Sequence, residues 1–211
     1  MTIRVLLADD HTLMRAGLRA LLGTAADIEV VGEVRTGHDA VRQALQLNPD
    51  VVLMDIGMPE LNGIEAAQAI HAKLPVVRII MLSMHATAEY AYRAFEAGAF
   101  GYLLKEAAVE EVIAAVRAVR EGKRYASPAL AGSLSDFGSH ARSPVESLSG
   151  RERQVLQLVV EGHSSGEIAR MIHLSPKSVD TYRSRLMAKL GVGDLPGLVK
   201  FAIEHGLTSP K

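Results

Sequence analysis

Asp9 and Asp10 follow one apolar run, Ile3–Ala8, and Asp55 follows another, Val51–Met54. Ser83 stands just past the run Val77–Leu82, and Lys105 just past Gly101–Leu104. Three carboxylates brought together repel, and a hard divalent cation with oxygen ligands, Mg2+ above all, relieves that repulsion. A carboxylate beside such an ion can attack phosphorus and become an acyl phosphate. The cation and a lysine then neutralise phosphoryl oxygens, and a serine hydroxyl donates to another. Asp55 is the candidate nucleophile because its run is central. Each residue also has a plainer reading: Asp9, Asp10, Asp55 and Ser83 as turn or helix-cap residues, Lys105 as a solvated charge. All of these holding at one edge is much less probable than any one alone.

The elements that must position these residues alternate. Strand-like runs fall at Ile3–Ala8, Glu29–Val34, Val51–Met54, Val77–Leu82 and Gly101–Leu104. Amphipathic stretches at Thr12–Leu22, Asp39–Leu47, Gly63–Lys73, Ala88–Ala97 and Val109–Arg120 place apolar residues at three- and four-residue steps. Such βα alternation predicts a parallel sheet covered on both faces, with its ligand site outside the carboxyl ends of the strands. All five candidate residues sit at such ends.

From Tyr125 to Ser147 the pattern dissolves into Ser, Gly, Ala and Pro, which reads as a linker with a short helix near Pro128–Ser133. The division expected is therefore 1–124, a linker 125–147, and 148–211. The last part shows capping boxes at Ser149–Glu152 and Ser164–Glu167, and Ser175 with Pro176 opening a helix that Gly191 closes. A final helix is expected near Leu198–Glu204. Four capped helices make a small all-α module.

Composition narrows the chemistry. The 211 residues include no Cys, which excludes disulfides, thiolate zinc sites and thiol catalysis. The eight His show no metal-ligand spacing, and His11 and His85, which border the acids, read as helix-start residues. No apolar run reaches membrane-spanning length and the first strand leaves no room for a signal peptide, so a cytoplasmic protein with no membrane partner is expected. Charge is uneven. Residues 1–124 carry 13 Lys/Arg against 16 Asp/Glu, whereas 148–211 carry 9 against 6, a net +3 that permits a nucleic-acid partner.

The motifs "LLADDH", "VVLMDIGMP", "MLS" and "GAFGYLLK" resemble the receiver domain of two-component response regulators over about residues 1–122. The resemblance implies a flavodoxin-like (βα)5 doubly wound sheet of order 2-1-3-4-5. It implies that Asp55 accepts phosphate from a sensor histidine kinase, with Mg2+ held by Asp10 and Asp55, by Asp9 through water, and by the Gly57 carbonyl. Ser83 and Lys105 would bind the phosphoryl group, Met58 and Pro59 would shape the loop, and Tyr102 matches the switch aromatic.

In the C-terminal part, Ser164–Met171, a turn Ile172–Ser175 and Pro176–Leu190 have helix-turn-helix spacing. In the last of these Val179, Tyr182, Leu186 and Leu190 face inward, and Thr181, Ser184, Arg185 and Ala188 outward. Leu148–Val192 resembles the LuxR-type helix-turn-helix, which together with the receiver suggests the NarL/FixJ type. By that resemblance Asp180, Thr181 and Ser184 read bases of double-stranded DNA, while Lys177, Arg183 and Lys189 hold phosphates. A homodimer formed on phosphorylation, through the last helix and receiver helices, and RNA polymerase as a partner are further implications. Two departures concern operator choice: Ser165–Gly166 replaces a polar-basic pair, and Asp180 stands where some relatives carry Lys.

The expectation is a phosphorylation-dependent transcriptional regulator. A Mg2+-dependent aspartyl-phosphate hydrolase is the first alternative. It would need a second acid two residues after the nucleophile, where this chain has Gly57, so only slow self-dephosphorylation is expected of it. The second alternative is a constitutive DNA-binding protein whose receiver is a dimerisation scaffold. An incomplete acid–Ser–Lys set would mark it.

Overall fold

The computed structural model describes residues 2–84, 86–130, 147–205 and 207. The chain divides into two compact units, residues 1–139 and 140–211.

In the first unit β1 (Ile3–Ala8), β2 (Ile28–Val34), β3 (Val51–Asp55), β4 (Arg78–Ser83) and β5 (Gly101–Leu104) pair in parallel, in the order β2-β1-β3-β4-β5. Every side chain of β3 is buried, as a central parallel strand requires. Alternation along the strands sorts the core into two layers. Leu6, Val52, Met54, Ile79 and Met81 pack on one face with α2 (Gly37–Leu47), α3 (Gly63–Lys73) and α4 (Ala88–Glu96). Val5, Leu7, Val51, Leu53, Ile80 and Leu103 pack on the other with α1 (Thr12–Leu22) and α5 (Val109–Arg120). Residues at the strand C-termini can then reach only the rim.

Tyr125 and Ala126, expected to begin the linker, instead form a sixth parallel strand, β6, beside β5. Ser127 is buried and its hydroxyl links the Leu104 backbone N–H to Glu111, donating to Glu111 Oε1 at 2.6 Å. Residues 128–130 are helical and Leu130 is wholly buried in the sheet core. A two-residue strand leaves no periodic signal, which is why the sequence reads as linker there. The rest of the expected helix lies outside the described residues.

The second unit packs α6 (Gly150–Val160), α7 (Ser165–Met171), α8 (Pro176–Leu190) and α9 (Leu195–Glu204) around Val155, Leu156, Ile168, Val179, Leu186 and Leu198. Both capping boxes form, at Ser149–Glu152 and Ser164–Glu167. Ser175 caps α8, and Gly191 ends it in the left-handed region. Helix α9 begins three residues before the expected Leu198, because the Asp194 carboxylate accepts from the Gly197 N–H and Pro196 occupies the first turn. That signal was present in the sequence. Among the described residues no helix is long and apolar enough to cross a membrane.

Candidate phosphoacceptor site and DNA-binding helix

The strand ends bring Asp9, Asp10, Asp55 and Lys105 together, with Ser83 at the neighbouring end of β4. Lys105 Nζ lies 2.8 Å from Asp55 Oδ2 and 3.1 Å from Asp9 Oδ2. The Lys105 backbone N–H donates to the Ser83 carbonyl at 2.8 Å, which holds the β4 and β5 ends in step. Asp9, Asp55 and Ser83 are buried, and the Lys105 side chain is 5% exposed, so it is no solvated surface charge. Nor do the capping readings of Asp55 and Ser83 hold. Asn62 caps α3, and Thr87 is the residue at the start of α4. Asp9 does accept from the His11 backbone N–H at 2.7 Å, so it orders the entry to α1 as well as facing the cluster.

The loop after Asp55 is tightly folded. The Gly57 N–H donates to the Asp55 carboxylate, Glu60 takes a positive φ of 68°, and Met58 is buried. The Gly63 N–H donates to the Ile56 carbonyl at 2.9 Å. A Cβ at Gly63 would collide with the Asp55 carbonyl, so α3 starts in direct contact with the Asp55 backbone.

Burial raises the Asp55 carboxyl above the usual range, and Asp9 adds to this while Lys105 opposes it. For Lys105, burial works against the charge, but the carboxylates of Asp55 and Asp9 prevail and raise its ammonium above its ordinary value. One ammonium cannot balance three carboxylates. Asp9 Oδ2, Asp10 Oδ1 and Asp55 Oδ2 are buried atoms that complete no hydrogen bond of good geometry, meeting Lys105 or His11 as ion-pair contacts. An all-oxygen set with such unmet atoms suits a hard divalent ion.

Tyr102 lies fully buried and shares a hydrogen bond with Ser83, and burial pushes its phenol up to about 12. The ring thus touches the site through the serine.

Two residues outside the expected site set complete the setting. Arg15 is buried on α1, donates from Nη1 to the Asp9 carbonyl at 2.6 Å, and ion-pairs through Nε with Glu33 at 3.3 Å. An arginine on a helix face reads as solvated, and only the fold turns it inward. His11 does stand at the start of α1, but its side chain makes no cap bond. Its Nδ1 lies 2.9 Å from Asp10 Oδ1 and 3.1 Å from Asp9 Oδ1, inside the cluster rather than beside it. His85 lies outside the described residues.

In the second unit α8 exposes Lys177, Thr181, Ser184 and Ala188 along one stripe, with Asp180 and Arg185 beside it. The turn before α8 contains His173 at φ 55°, and Arg151 holds that turn by donating to the Ile172 carbonyl at 2.9 Å. Arg183 is half-buried. Asp180 accepts from Ser165 Oγ at 2.7 Å, joining α7 to α8. Lys189 departs from expectation. Its Nζ is 2.7 Å from the buried Glu152 carboxylate and donates to the Ser147 carbonyl, so it ties α8 to the α6 cap. The contact ties the two helices, while 43% of the Lys189 side chain stays exposed.

Comparison with known proteins agrees with this geometry. The response regulator receiver domain matches residues 5–117, and the luxR family of bacterial regulatory proteins matches residues 146–202. The response regulator UvrY of Escherichia coli K12 is 42% identical over 208 residues, 97% of this chain and 95% of UvrY. The chain belongs to the response regulators. It is a receiver-domain, DNA-binding transcriptional regulator of a two-component system, not an enzyme of turnover. Among solved response regulators, a LuxR-family protein from Aurantimonas sp. SI85-9A1 is 35% identical with a TM-score of 0.62, covering 64% of this chain and 97% of that one. The RcsB–DNA complex is 26% identical with a TM-score of 0.61, covering 95% and 98%.

Proposed function

We propose that Asp55 takes a phosphoryl group from the phosphohistidine of a sensor kinase and so controls DNA binding by the second unit. One Asp55 oxygen attacks phosphorus, the phosphorus–nitrogen bond breaks, and the leaving imidazole recovers its proton. Lys105, already between Asp55 and Asp9, is placed to follow the charge onto the phosphoryl oxygens, and the Ser83 hydroxyl to donate to another. Arg15 and the Asp9 backbone keep the acid pair oriented. Asp9, Asp10, Asp55 and the Gly57 carbonyl would hold Mg2+, which supplies charge neutralisation at the phosphoryl group when bound. The observation that carries this reading is the Lys105 ammonium in contact with acids from two different strands.

Drawing Ser83 toward a phosphoryl group would act on Tyr102 through their shared hydrogen bond, which gives the switch a physical handle. In the DNA-binding module Lys177 and Arg183 are the phosphate contacts, and Thr181, Ser184 and Asp180 face base edges, Asp180 only by giving up Ser165. A homodimer on paired half-sites, with RNA polymerase nearby, is the expected assembly, and RcsB has been solved as dimers on DNA. The cytoplasm is the expected site of action. Functionally, a receiver reaching Leu130, a linker, and a DNA-binding module from about residue 147 make up the chain.

The test is sedimentation of the full chain with Mg2+, with and without beryllofluoride, alongside affinity for DNA selected by the chain. A rise in dimer and in affinity is expected. No change in either would return the receiver to a scaffold role.

A further inference from the structure

The acid cluster contains a nitrogen. His11 Nδ1 lies 2.9 Å from Asp10 Oδ1, 3.1 Å from Asp9 Oδ1 and 3.7 Å from Asp55 Oδ2. One ligand atom from each of Asp9, Asp10, His11 and Asp55 falls within 4.8 Å of the others, the span of a single coordination sphere. Two of the acids, Asp9 and Asp55, are almost wholly buried and aim unmet oxygens into that space. Lys105 Nζ approaches the same Nδ1 at 3.4 Å. A lysine only donates and a carboxylate only accepts, so no one tautomer of His11 satisfies both neighbours. A dication bound to Nδ1 and to the carboxylates would remove that conflict, leaving Lys105 to its contacts with Asp9 and Asp55.

The backbone brings His11 to the cluster. The His11 N–H donates to Asp9 Oδ1, and His11 opens α1, so Nδ1 is delivered by the same turn that orients Asp9. Imidazole nitrogen adds little for Mg2+, which prefers oxygen and holds its waters. It adds a good deal for first-row transition dications, whose affinity rises along the series toward copper. We infer that His11 Nδ1 is a ligand of this site and biases it toward a transition dication over Mg2+. This rests on the acid cluster being the metal site proposed above.

The experiment is competition between Co2+ and Mg2+ on the full chain, read by the Co2+ d–d absorption and by calorimetry. Only the Co2+ that Mg2+ displaces is counted, which sets aside the chain's other histidines. The Co2+-to-Mg2+ affinity ratio is expected to fall at least tenfold in His11→Ala. It should stay low in His11→Asn, which retains a good helix-start residue. An unchanged ratio in His11→Ala, even with both affinities altered together, would overturn the inference while leaving the metal site standing. Recovery of the wild-type ratio in His11→Asn would overturn it in favour of a helix-start role. Failure of both cations to bind the wild-type chain would take the metal site down as well.

Discussion

The Lys105 ammonium lies 2.8 Å from Asp55 Oδ2, a buried contact between residues fifty positions apart in sequence. It holds Asp55 in place while opposing the effect of burial on its carboxyl. Replacing Lys105 with Met should slow labelling of Asp55 by a small phosphodonor by roughly 10²–10³-fold, the usual cost of losing one stabilising donor. It should also raise the Asp55 carboxyl further. Initial rates and a carboxylate NMR titration check the two effects, and a rate within threefold of wild type would remove Lys105 from the chemistry.

Asp55→Asn should abolish labelling and leave the fold intact. Its effect on stability has a definite sign. The folded-state pKa of Asp55 lies above the ordinary 3.8, so the folded protein binds that proton more tightly than the unfolded chain. The ionised acid is therefore a liability at neutral pH, and the liability fades as pH falls through the raised value toward 3.8. Asn should melt higher than wild type at pH 7, and the gap should close on acidification. A gap that widens in acid would contradict the assignment.

The two lysines of α8 should behave differently. Lys177→Ala should weaken binding to every DNA sequence and flatten its salt dependence by about one unit. Lys189→Met should leave that slope alone and destabilise the second unit by about 2 kcal/mol, between the values for exposed and buried pairs. The same tie acts on the Glu152 carboxyl. Burial opposes its charge, yet Lys189 and Ser149 lower its carboxyl below 4.5. Its stabilisation is present above that value and lost as pH falls through the folded one. Salt-dependent DNA binding and thermal melts from pH 3 to 7 separate these roles.

Leu130→Ala should destabilise the first unit by about 3 kcal/mol, as for other fully buried leucines. Hydrogen exchange of β5 and β6 reports it. Wild-type protection there would mean that Leu130 does not support this edge of the sheet.

What the sequence made legible follows from how local each signal is. The strand runs, the three C-terminal caps and the rim acids are written in stretches of a few residues, and all of them form. Asp9, Asp55, Ser83 and Lys105 could be placed together because parallel topology forces strand C-termini to one edge. Arg15, Lys189 and β6 were not legible. A charged residue on a helix looks solvated until its neighbours are known, and two residues carry no period. His11 opens α1 as its position implied, but where its ring turns was not legible: a residue at a helix start can still face the acids before it.

Gly63 looks like a simple helix opener, yet only a hydrogen fits between α3 and the carbonyl of Asp55. Adding one methyl there would shove the phosphoacceptor's main chain from behind, silencing the receiver without touching a single reactive atom. Mutational screens that score only the acids, the serine and the lysine would overlook this position.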